Sequence, residues 1–113
     1  KQSEFEKAIQ IYRTILNQAP DYAEVWHLLG LCLMDQLCIP EAIESLQKAV
    51  SLEPQNPTFH SHLANFYKNL NQFEKAEEHY HQAFSLAPED PELLYNIGVF
   101  YYRKKDFDCA EQF

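Results

Sequence analysis

Residues 23–54 read AEVWHLLGLCLMDQLCIPEAIESLQKAVSLEP, and the positions that matter are Trp26, Leu29, Gly30, Leu33, Ala42, Leu46, Ala49 and Pro54. Moving the frame by 34 residues returns the same residue classes. Ala42 becomes Ala76 and then Ala110, and Pro20 becomes Pro54 and then Pro88. Ala49 becomes Ala83, Leu29 becomes Leu63 and then Ile97, and Gly30 becomes Ala64 and then Gly98. A fixed period of this size marks a stacked array of repeats and not a single closed domain.

Outward from that stretch, the apolar residues keep a helical period. Phe5, Ala8, Ile9, Tyr12, Ile15 and Leu16 form one stripe, which predicts a helix over Phe5–Ala19 ended by Pro20. A second helix is expected over Ala23–Gln36, a turn at Leu37–Ile39, and a third helix opened by Pro40 and ended by Pro54. Asn56 and Asp90 read as N-caps, each followed by a proline at the first helical position. Asn71 sits at a turn that calls for left-handed backbone. Leu93, Leu94, Ile97, Gly98, Phe100 and Tyr101 are the inward set of the following helix. Lys105 and Asp106 are expected to turn the chain into a last helix begun by Phe107 and Ala110.

The composition narrows the function. The chain is 46% hydrophobic, too apolar for a disordered tail. It carries only two glycines, as a nearly all-helical chain should. A net charge of −8 argues against nucleic acid and anionic membrane surfaces as partners. No apolar run approaches the ~20 residues of a membrane span, and no signal peptide opens the chain. The first residue is not Met, so the start is read as internal to a longer protein. Cys32, Cys38 and Cys109 form no spaced framework, which points to free thiols in a reducing, cytoplasmic setting.

The 34-residue pattern resembles the tetratricopeptide repeat, a helix–turn–helix unit. The family positions are filled by Trp26, Leu29, Gly30, Leu33, Ala42, Leu46, Ala49 and Pro54. One repeat on they are filled by His60, Leu63, Ala64, Tyr67, Ala76, Tyr80, Ala83 and Pro88. Leu94, Ile97, Gly98, Tyr101 and Ala110 follow, and Ala8, Tyr12 and Pro20 precede. Leu33, Ile15 and His60 depart from the family's usual aromatic, alanine and large apolar residue. The resemblance implies an all-α fold, an α-solenoid of antiparallel helix pairs wound as a right-handed superhelix. It divides the chain into residues 1–22 (second helix of a preceding repeat), 23–56, 57–90 and a partial repeat at 91–113. Phe5 and Phe113 would lie at uncovered ends, so the chain is expected to be a piece of a longer array or to be covered by other chains.

The resemblance also implies a partner. In this family the first helix of each pair lines a concave groove that holds a peptide or a helix of another protein. The matching positions include His27 and Leu31, then His62, Asn65, Lys68 and Asn69, then Tyr95, Asn96, Val99, Tyr102 and Arg103. Asn65 and Asn69 share one helix face and suit a peptide backbone. Tyr95, Val99 and Tyr102 suit an apolar wall with hydroxyl tips. The chaperone-binding subtype clamps a carboxylate with Lys, Asn, Asn, Lys and Arg, where this chain has His27, Leu31, His62, Glu92 and Asn96. None of the five matches and Glu92 would repel a carboxylate, so that subtype is rejected. The asparagine ladder of the glycosyltransferase-associated subtype is met by Asn96 but not by Leu28 or His62.

His60/His62 and His79/His81 invite a metal reading, but residues two apart on a helix point roughly 200° apart and cannot chelate together. No metal, cofactor or catalytic constellation is expected: the chain has no phosphate loop, nucleophile elbow or metalloprotease motif. His27 and His62 would make partner binding pH-sensitive. The sequence therefore reads as a non-enzymatic scaffold for a protein or peptide. The alternatives are the substrate-recruiting arm of a larger enzyme, such as a protein glycosyltransferase, and self-association through open terminal helices.

Overall fold

The computed structural model describes residues 4–111, with side-chain surroundings for residues 4–106. The side chains of Phe107, Cys109 and Ala110, and the whole of Phe113, lie outside the described residues. The fold is all-α: helices α1 (Glu4–Gln18), α2 (Ala23–Asp35), α3 (Ile39–Leu52), α4 (Pro57–Asn69), α5 (Phe73–Leu86) and α6 (Pro91–Glu111), with no strand among the described residues. They fall into two compact units, Lys1–Gln55 and Asn56–Phe113.

In the first unit α2 packs against both α1 and α3. Its buried residues include Ile9 and Leu16 of α1, Val25, Leu29, Gly30 and Leu33 of α2, and Ala42, Leu46 and Ala49 of α3. Gly30 lets α2 and α3 approach closely: a Cβ there would sit 2.7 Å from Leu46 Cδ2 and 3.1 Å from the Ala42 carbonyl oxygen. Trp26 anchors the entry to α2 by donating its indole N–H to the Pro20 carbonyl at 2.8 Å.

The α2–α3 reversal is a Schellman closure. Cys38 N–H bonds back to the Leu33 carbonyl at 2.8 Å and Leu37 N–H to the Met34 carbonyl at 2.9 Å. Leu37 takes the left-handed conformation this needs, at φ 62°. One period later the same closure recurs: Gln72 N–H bonds to the Tyr67 carbonyl at 2.9 Å and Asn71 N–H to the Lys68 carbonyl at 3.0 Å. Asn71 is the left-handed residue there, at φ 60°, as the sequence led us to expect.

In the second unit α4 and α5 form the main hairpin and α6 packs on both. Asn56 caps α4 by accepting from Thr58 and Phe59 N–H at 3.0 and 3.2 Å, and Asp90 accepts from Glu92 N–H at 3.1 Å, so both expected caps form. Phe59, Leu63, Ala64, Tyr67, Ala76, Tyr80, Ala83, Leu93 and Phe100 are buried. The Phe100 ring lies 5.1 Å from Tyr80 and 6.1 Å from Phe73, so one aromatic seats α6 on α5. Glu77 adds polar ties, accepting from the Tyr101 hydroxyl at 2.7 Å and lying 3.9 Å from Lys104.

α6 departs from the expected pattern. It runs unbroken to Glu111, so the turn at Lys105 and Asp106 does not form. Lys105 holds the register position of Leu37 and Asn71, yet it stays helical. Those two reversals each lead into a 14-residue helix that packs back. Leu94 and Tyr101 of the expected inward set are 44% and 43% exposed. Gly98 is exposed too, and a Cβ there would meet nothing within 4 Å.

Gly30 and Gly98 occupy equivalent register positions, and Ala should act oppositely at the two. Gly98→Ala is expected to stabilise by about 1 kcal/mol through helix propensity. Gly30→Ala is expected to destabilise by about 1 kcal/mol, because overpacking against fully buried Leu46 outweighs that gain. Urea unfolding of both variants checks this. Leu37 is 77% exposed and pays for its left-handed backbone with no packing in return, so Leu37→Asn should raise stability by about 0.5–1 kcal/mol in the same measurement.

Candidate functional site

In the first unit α2 presents Glu24 and Asp35 to solvent, with Leu28, Leu31 and Met34 half-buried. His27, expected to face a ligand, is instead buried at 7% exposure. Position 27 falls in line with Ala23 and Gly30 on the side of α2 that packs inward.

In the second unit α4 and α6 bring more of the expected residues together. Arg103 donates to Asn69 Oδ1 at 3.2 Å, joining positions one full period apart. Tyr80 reaches from α5 to donate its hydroxyl to Asn65 Oδ1. Burial pushes the Tyr80 phenol above its ordinary range, so it stays a donor at neutral pH. Each asparagine thus has its oxygen engaged and its NH₂ left to donate. Lys68 lies on the same helix, only 8% exposed, and burial followed by the nearby Arg103 charge lowers its pKa.

Around this centre, Tyr95 and Tyr102 stand 71% and 70% exposed, with Val99 half-buried on the same helix. Toward the start of the two helices, Pro57, Ser61, His62, Asp90, Glu92 and Asn96 line a polar cleft of about 190 Å³. His62 is half-buried there; burial lowers its pKa and Glu92 opposes that. Sequence reasoning missed Tyr80 as a participant, because its place in the apolar stripe matched that of Leu46. The signal was the hydroxyl itself, which a buried tyrosine must satisfy.

The histidines separate as helix geometry requires. His60 is 1% exposed and meets His79 across the α4–α5 hairpin, with Nδ1 atoms 3.1 Å apart and stacked rings 5.4 Å apart. Tyr67 stacks on the other side of His79, at 5.9 Å. His81 points away, exposed, 3.9 Å from Glu77. No group of three or more His, Cys, Asp or Glu side chains placed to hold a metal ion occurs among the described residues. Cys32 is half-buried, and burial and Asp35 raise its pKa, which makes it an inert thiol. Among the described residues no helix is long and apolar enough to cross a membrane.

Comparison with known proteins agrees with this fold. The family model described as TPR repeat matches residues 39–71 and 64–105. A BBSome complex member BBS4 homolog of Drosophila melanogaster is 32% identical over 74 residues, covering 66% of this chain and 15% of that protein. A probable UDP-N-acetylglucosamine–peptide N-acetylglucosaminyltransferase SPINDLY of Hordeum vulgare is 32% identical over 80 residues, covering 69% of this chain and 8% of that protein. The chain therefore spans a small part of the curated relatives it matches. Among solved structures, MamA superposes with a TM-score of 0.81 at 26% identity, over 93% of this chain and 61% of that one. The thermophilic TPR protein TTC0263 of Thermus thermophilus gives a TM-score of 0.81 at 26% identity, over 87% and 50%. The fold is that of an all-α helical repeat solenoid.

The His60–His79 contact makes stability pH-dependent. Burial, reinforced by His60 and opposed by Glu78, lowers the pKa of His79. Below about pH 6.5 the unfolded chain binds a proton that the folded His79 refuses, so stability is lost as pH falls. A drop from pH 7.5 to about 5.5 should cost up to about 1.4 kcal/mol for this residue. Urea unfolding at both values checks it, and His79→Phe should flatten the dependence.

Proposed function

This chain belongs to the tetratricopeptide repeat family, and from that premise we propose that it is a non-catalytic scaffold that holds a peptide or helix of a partner protein along the first helices of its hairpins. Repeats of this family mediate protein–protein contacts. The observation that carries the finer reading is the α4–α6 face. There the Asn65 amide is held by the Tyr80 hydroxyl and the Asn69 amide by Arg103, on a face that also carries the exposed Tyr95 and Tyr102. Amide NH₂ groups suit the carbonyls of an extended chain, and exposed tyrosines supply contact area at low entropic cost. His62, Lys68, Asn96 and Val99 complete the proposed face within the second unit. The fly relative is a homolog of a complex member, which accords with a scaffold.

A second reading has its own support. The barley relative is named as a peptide glycosyltransferase and matches this chain over 80 residues. In that reading the repeats recruit substrate for a catalytic domain elsewhere in a larger protein. Asn96 would belong to the peptide-holding row.

Immobilised wild-type chain and an Asn65→Ala/Asn69→Ala variant, compared for the proteins each retains from a lysate, test the main reading. Partners held by the face should be lost from the variant, and an Asn69→Ala single variant, which leaves the Tyr80 hydroxyl its acceptor, should weaken the same partners at little cost in melting temperature. Full retention by the variant would sink the assignment of this face.

A further inference from the structure

The polar cleft at the start of α4 and α6 holds negative charge that the chain itself leaves unmatched. Elsewhere Glu4 meets Lys7, Glu41 meets Arg13 and Glu77 meets Lys104. Asp90 and Glu92 line the cleft, and among the described residues neither carboxylate lies within 4 Å of a lysine, arginine or histidine nitrogen. No lysine or arginine lines the cleft. Its other titratable group is His62, where burial outweighs Glu92 and lowers the pKa, so at neutral pH the ring adds no opposing charge.

A separate feature points the same way. Ser61 is only 8% exposed and lines the cleft, yet among the described residues its hydroxyl has no hydrogen-bond partner. A polar group set that deep is costly to leave unmatched. Asp90 Oδ1 accepts from Glu92 N–H, which leaves the other Asp90 oxygen and both Glu92 oxygens to accept from a ligand. The first turns of α4 and α6 also open onto the cleft, and each helix start carries about half a positive charge. Two full carboxylates outweigh them, so the cleft stays negative by about one charge. No group of three side chains is placed here to hold a metal ion, so the fitting occupant is an organic cation.

We infer that Ser61, Asp90, Glu92 and Asn96 form a subsite for the guanidinium of an arginine side chain in the bound partner segment. This rests on the reading of the α4–α6 face as a peptide-binding surface and adds the side chain that one end of it selects. A guanidinium presents five N–H donors in a planar fork, and the cleft offers carboxylate, hydroxyl and amide oxygens to receive them. The aliphatic stem of the arginine lies against the apolar wall of Pro57 and Leu93. A basic partner also suits a chain of net charge −8. Selectivity follows, because a neutral side chain would leave the carboxylates without a counter-charge.

The test uses the full 113-residue chain and two small probes, N-acetyl-arginine methylamide and its neutral counterpart N-acetyl-citrulline methylamide, titrated by NMR with backbone amide shifts as the readout. The arginine probe should bind at least about tenfold more tightly, the scale of a charge-assisted contact, and should shift the amides of Ser61, Glu92 and Asn96. Glu92→Gln removes one exposed carboxylate and should erase the preference; Asp90 is left in place because it caps α6. Glu74→Gln removes the same charge from α5, outside the cleft, and should leave the preference intact. Ser61→Ala should weaken the arginine probe without lowering the melting temperature, because the hydroxyl bonds nothing within the fold.

Equal affinity of wild type for the two probes overturns the inference, as does an undiminished preference in Glu92→Gln or an equal loss in Glu74→Gln, which would mark mere attraction to an acidic chain. The broader reading fails separately. Lysate partners lost on Asn69→Ala but kept by Glu92→Gln would leave the peptide-binding face standing and remove the arginine subsite.

Discussion

Two helices share an interior at short range only where one of them presents almost no side chain. In the first unit that place is Gly30, seated against Leu46 and the Ala42 carbonyl. In the second, Ala64 and Ala76 are fully buried at the corresponding positions. Close approach lets the large residues of the same stripe, Leu33 and Leu46 or Tyr67 and Tyr80, become buried beside them. The left-handed residues at Leu37 and Asn71 follow from the same constraint. A reversal of so few residues between two closely set helices leaves the Schellman closure as the way to satisfy the last carbonyls.

The candidate face is what this packing leaves over. Small residues commit one side of α4 to α5, so its polar positions fall toward α6. The 34-residue period then sets Asn69 and Arg103 opposite each other, and their hydrogen bond links the same position of two repeats. Tyr80 shows how core and face meet: its ring is packed and its hydroxyl supports a surface amide. Residues that position a ligand are thus held by residues that fold the chain.

The His60–His79 pair makes a related point about polar substitutions in a repeat interior. His60 replaces an apolar residue and is tolerated because a second imidazole meets it at hydrogen-bond distance. A buried polar group needs such a partner, and here the partner comes from the other helix of the hairpin. Neither histidine belongs to the α4–α6 face.

Much was legible without coordinates. The period, the bounds of α1 to α5 to within about two residues, the Asn56 and Asp90 caps, and the left-handed Asn71 all depend on local chemistry, which a sequence carries directly. Tertiary packing decided the rest. It carried α6 straight through Lys105 and left Tyr101 exposed. It buried His27 and Lys68, brought His60 to His79, and bonded Arg103 to Asn69. Each of these is a meeting of side chains from different helices or a matter of depth, and register along one chain specifies which way a residue points but not what it meets there.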